Sequence, residues 1–149
     1  MESTLPDFLD ALRASLAARS GLAGVNVVSG PVGPDDEGTA AIVLGDDAIT
    51  ADDSPDNIGD YSRAEVYRVP CHTVAFAPGK DEANVALARS TAFAYLAEVR
   101  EDQSENDTAT ATVTDWSVVA WQLEQGYDDN SRWALLRFTI EATAYTVPT

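Results

Sequence analysis

Leu5, Phe8, Leu9, Leu12 and Leu16 recur at helical spacing, and Asp7, Asp10, Arg13 and Arg19 fall on the solvated side of the same stretch. An amphipathic helix follows from that pattern. Thr4 with Asp7 three residues on resembles a capping box, Pro6 lies in the first turn, where proline is tolerated, and Gly21 is the expected stop. Val25, Val27 and Val28 predict a short strand, the run Gly30, Pro31, Gly33, Pro34, Asp35 and Asp36 a turn or loop, and Ala40 to Leu44 a second strand.

Six aspartates between Asp46 and Asp60 predict an exposed, mobile loop. Tyr61 to Ala77 then alternates in strand fashion. Pro70 cannot donate to a ladder, so it marks an edge or a bulge and assigns this strand to a sheet margin. Pro78 and Gly79 end it. Asp81 to Glu101 predicts a second helix with Val85, Ala88, Ala92, Leu96 and Val99 on one side and acids in its first turn. After a polar connection, Asp102 to Thr108, the Thr-, Val- and Trp-rich stretch Ala109 to Leu123 reads as a strand.

Ser131 to Val147 is the clearest strand: Ala134, Leu136, Phe138, Ile140, Ala142 and Ala144 share one face, and Trp133, Arg137, Thr139, Glu141, Thr143 and Tyr145 share the other. Seven residues between the last two strands, with Gly126, Asp128, Asp129 and Asn130 among them, predict a hairpin with a protruding loop. The expectation is one α+β domain over residues 1–149: a mostly antiparallel sheet, two helices on one face, and a long C-terminal hairpin.

Composition narrows what such a domain does. Hydrophobic residues make up 45% of the 149 positions, which argues against disorder, and no apolar run approaches the ~18 to 20 residues a bilayer crossing needs. Met1 to Leu5 carries no basic and apolar leader pattern, so no secretory signal is expected. With 25 acidic against 9 basic residues the net charge is −16, which disfavours binding to a phosphate backbone. Lys80 is the sole lysine. A GC-rich genome accounts for that, and so does a high-salt cell interior, in which a dense carboxylate surface stays hydrated.

Candidate chemistry is sparse. Cys71 and His72, each the only one of its kind, are adjacent, yet neighbours on a strand point to opposite faces and cannot act as nucleophile and base. A single cysteine excludes an internal disulfide and multi-cysteine metal sites. A calcium loop begun at Asp52 places Ser54 and Asp56 correctly, but Asn57 stands where the turn glycine belongs and Arg63 where the closing acid belongs. Gly30, Gly33 and Gly38 lack the strand-to-helix context of a phosphate-binding loop. No metal, cofactor or catalytic residue is expected. Trp116, Trp121 and Trp133 suit a core, but Trp121 and Trp133 near the hairpin ends also suit anchors of a subunit contact.

The helix leading into Gly21 to Val25, the Gly30 to Gly33 turn, the helix through Ala88 and Arg89 to Val99, and the closing hairpin together resemble the tail terminator, or tail completion, proteins of long non-contractile-tailed viruses of bacteria and archaea. The resemblance spans most of the chain. It implies a non-enzymatic virion protein at the head-proximal end of the tail. Six copies would form a ring that caps the tail tube and docks to the head connector, with DNA passing through without being specifically bound. Partners would be other copies of the chain, the tail tube protein and a connector or neck protein, with no membrane. Under that reading Trp121, Trp133, Arg137, Glu141 and Tyr145 line a subunit interface or the lumen. Another head-to-tail connector or neck protein is the near alternative. A small soluble enzyme or ligand-binding module would need a deep pocket with convergent polar groups, of which the sequence gives no sign.

Overall fold

The computed structural model describes residues 3–31, 40–55, 63–128 and 130–146. The elements run α1 (Leu5–Ala17), a 3-10 turn (Ser20–Leu22), β1 (Asn26–Ser29), β2 (Ala40–Leu44), β3 (Thr50–Pro55), β4 (Arg63–Pro78), α2 (Glu82–Glu105), β5 (Asp115–Tyr127) and β6 (Ser131–Thr146). One mixed sheet has the order β1-β2-β4-β6-β5, with β3 also paired to β4. Only β1 and β2 run parallel; every other pairing is antiparallel. The expected class, α+β with both helices on one face and a long closing hairpin, is the one observed.

The core lies between that face and the helices. Alternation aims Tyr67, Val69, Cys71, Ala75 and Ala77 of β4 and Leu136, Phe138, Ile140, Ala142 and Ala144 of β6 at the helices, where they meet Phe8, Leu12 and Leu16 of α1 and Ala88, Ala92, Leu96 and Val99 of α2. Small alanines let α2 approach closely enough for the buried Thr73 hydroxyl to donate to the Ala92 carbonyl at 3.1 Å. Trp116 completes one end of the core, edge-on to Phe8 with its indole N–H donating to the Asn106 carbonyl.

Several expectations are corrected. β4 is central, not marginal: β6 pairs with its whole length on one flank, and on the other β3 pairs with residues 63–68 and β2 with residues 71–73. Pro70 falls in the gap between β3 and β2. Its carbonyl accepts from the Asp46 N–H, so its nitrogen, which shares that flank, needs no donor for a ladder there. The aspartate stretch is not all loop, because the long β4 offers Thr50–Pro55 a ladder that outweighs its poor strand propensity. Residues 56–60 of that stretch, and Tyr61 and Ser62 of the strand prediction after it, lie outside the described residues. Extended pairing of Asp52 and Ser54 also removes the start of the calcium-type loop.

The stretch from Ala109 is not strand until Asp115. Ala109, Thr110 and Ala111 all have positive φ, and they form a left-handed turn held by Asn106 Oδ1 on the Thr110 N–H and by the Thr108 carbonyl on the N–H groups of Thr112 and Val113. The hairpin loop shrinks from seven residues to the three between Tyr127 and Ser131, because both strands run on to it. There Asp128 Oδ1 accepts from the Asn130 N–H, the Ser131 N–H and the Ser131 hydroxyl, and these bonds, Asn130 first, lower its pKa.

Both helix predictions shift at their ends. Thr4 is the N-cap of α1 but forms no capping bond; its hydroxyl meets the Tyr67 hydroxyl at 2.9 Å instead. Gly21 is not the stop, since α1 ends at Ala17. A Cβ at Gly21 would lie 2.0 Å from Glu98 Oε1, so the glycine admits the α2 carboxylate there. Asp81 caps α2 by accepting from the Asn84 N–H, and the helix runs to Glu105, about one turn past the expected end.

Candidate functional site

The sheet face opposite the helices has no element over it among the described residues, and cross-strand register orders its side chains into rows. Across β4 and β6 these rows are Phe76 with Trp133, Val74 with Leu135, His72 with Arg137, Pro70 with Thr139, Arg68 with Glu141, Val66 with Thr143, and Ala64 with Tyr145. One end is apolar, formed by Val74, Phe76, Trp133 and Leu135, with Phe76 57% exposed. The middle is charged. Arg68 reaches Asp52 at 2.9 Å and Glu141 at 3.5 Å, and Asp52, by hydrogen bond and charge, raises its pKa. Arg137 Nε donates to Glu124 Oε1 at 3.4 Å. Tyr145, 54% exposed, stands at the far end.

Of the five expected interface residues, Trp133, Arg137, Glu141 and Tyr145 therefore share this face. Trp121 does not. A bulge at Val119 inverts the alternation of β5: Trp116 and Val118 face the helices before it, and Trp121 and Leu123 do so after it. Trp121 is half exposed beside α2, edge-on to Phe93 at 5.2 Å between ring centroids. Trp133 covers Gly126 of β5, where a Cβ would come within 2.2 Å of the indole Cζ2. Exposed Val119 marks the bulge on the sheet's outer strand.

One constellation escaped the sequence reading. Cys71 and His72 do point to opposite faces, as expected: Cys71 is in the core, and burial pushes its thiol up to about 12. His72 is instead partnered by Asp46, whose carboxylate hydrogen-bonds the ring Nδ1, and both side chains are largely buried. The two residues are 26 apart in sequence. They meet because β2 runs antiparallel to β4, with Leu44 opposite Cys71, and the chain leaving β2 is held by the Asp46 N–H on the Pro70 carbonyl. No local spacing signals this pairing; only the β2–β4 register does. Val43, directly opposite His72 in the register, is fully buried.

This pair lines a cavity of about 580 Å³, with Asp47, Gln122, Arg137 and Thr139 among the other lining residues. Its volume is within the usual range of about 300 to 1,000 Å³ for ligand pockets. Among the described residues no group of three or more His, Cys, Asp or Glu could hold a metal ion. Among the described residues no helix is long and apolar enough to cross a membrane.

No family model matches the sequence, and no curated protein matches it. Among solved structures the fold is similar to a chain of the virion of the native gene transfer agent (GTA) particle, with a TM-score of 0.54 and 18% identity over 91% of this chain and 94% of that chain. At that identity the likeness is one of fold.

Proposed function

We propose that this chain is a structural protein of a phage-like particle, and that it acts as a tail terminator: a ring, of six copies, that caps the tail tube and joins it to the head connector. The observation that carries the reading is the fold likeness to a virion chain that spans nearly the whole of both proteins. It supports a shared architecture over nearly the whole chain.

Two features of the chain agree with assembly. The sheet face opposite the helices combines exposed Phe76 and half-buried Trp133 at its apolar end with charges at Arg137, Glu124 and Glu141, the mixture of apolar anchor and polar rim found at specific interfaces. The net charge of −16 repels DNA, so a lumen lined by such chains would let DNA slide through without holding it. In this reading Trp133, Arg137, Glu141 and Tyr145 face a neighbouring subunit or the lumen, and Trp121 contributes from the opposite side of the sheet.

The test is the mass of the purified protein by light scattering, alone and with tail tubes added, followed by imaging of the complex. A closed ring, formed alone or on tube ends, supports termination. Attachment to filled heads but not to tubes would make the chain a connector or neck protein. A monomer indifferent to both would overturn the assembly reading.

A further inference from the structure

We infer that the cavity beside His72 and Asp46 receives an arginine side chain presented by a protein partner. With Nδ1 engaged by Asp46, Nε2 is the ring nitrogen left to meet whatever enters the cavity that His72 lines. An imidazole whose Nδ1–H donates to a carboxylate presents Nε2 as an acceptor. Asp47 adds a carboxylate, whose Oδ1 also accepts from the Ala48 N–H, Gln122 an amide oxygen and Thr139 a hydroxyl, so several acceptors line one space.

Charge points the same way. Asp46 and Asp47 are acidic, and the one basic side chain of the lining, Arg137, is paired with Glu124. The two aspartates leave the site negative, and it belongs to a chain of net charge −16. A cation is the complementary ligand. Among cations, guanidinium fits best, because its five N–H donors in a planar fork can serve several acceptors spread around a cavity, whereas an ammonium is a compact point charge. The volume, about 580 Å³, admits the side chain together with the adjoining backbone. This inference does not depend on the ring. It concerns what the cavity recognises, whichever assembly presents it.

His72 is the sole histidine, so long-range nitrogen–proton spectra of its ring report on this site alone. The experiment titrates the peptide acetyl-Gly-Arg-Gly-amide into the full-length chain at low salt. The expected result is a saturable shift of the ring resonances with a dissociation constant of order millimolar. Asp47→Asn should weaken binding by about tenfold, the effect of losing one charge-assisted contact, and Asp10→Asn on the far helix should leave it unchanged. Thr139→Val gives a second variant within the cavity. No shift with the arginine peptide would overturn the inference. A shift with acetate instead would make the cavity an anion site at Arg137. Equal binding of spermidine, or of the matching lysine peptide, would overturn the assignment to an arginine side chain.

Discussion

Arg19 at the end of α1 stands 3.4 Å from Oδ1 of Asp102 on α2, a carboxylate only 2% exposed. The same guanidinium reaches Glu98 at 2.8 Å and Glu101 and Glu105 at 3.0 Å each, so one cation holds four acids of a neighbouring helix. Glu98 first, and then Glu105, raise its pKa above the ordinary arginine value. Ser15 also donates to Asp102 Oδ1 at 2.7 Å, whereas Oδ2 is buried with no partner among the described residues.

Removing that cation leaves a buried carboxylate beside three others. Arg19→Met should destabilise the fold by about 3–5 kcal/mol, the usual effect of breaking a buried pair from one side. Arg19→Met combined with Asp102→Leu should recover most of the loss. Urea denaturation of the two variants is the check, and equal instability of both would show that Asp102 is not the group Arg19 compensates.

Gly126 is the floor on which Trp133 lies. Gly126→Ala puts a methyl group into the indole, so the ring must move, at about 1–3 kcal/mol of overpacking. Tryptophan fluorescence should shift, and Trp133→Leu should relieve most of the loss in the double variant. Because Trp133 lies on the bare face, Gly126→Ala should also impair assembly under the ring reading. An unchanged melting temperature and emission spectrum would contradict the contact.

Cys71 should stay unlabelled by maleimide at neutral pH in the folded chain and react fully on unfolding, since its thiolate is suppressed by burial. The same shift sets a pH dependence. Between the ordinary thiol value of 9.0 and about 12 the folded chain keeps a proton that the unfolded chain has released. Stability from this group is therefore complete below pH 9 and is lost as pH rises toward 12. Relative to Cys71→Ala, the native chain should lose up to about 1.4 kcal/mol per pH unit in that window. Parallel pH profiles of the two proteins would refute it.

By itself the sequence determined the elements whose partner is supplied by their own periodicity. Leu5 to Leu16, Ala88 to Val99 and the alternation from Trp133 to Tyr145 each fix which side is buried, because a helix or strand with one apolar face can be stable only with that face covered. Two helices on one face of a sheet, with a polar face with aromatic ends opposite, follow from those patterns alone.

The rest depended on register, which no local pattern carries. Pro70 has a central place because its missing donor falls between the ends of β3 and β2. Thr50–Pro55 becomes a strand because β4 is long enough to pair with it. Trp121 lies on the opposite face from Trp133 because one bulged residue, Val119, inverts the alternation. Asp46 and His72 meet only when β2 is set antiparallel to β4, since their 26-residue separation has no geometry until hydrogen bonds across the sheet close it.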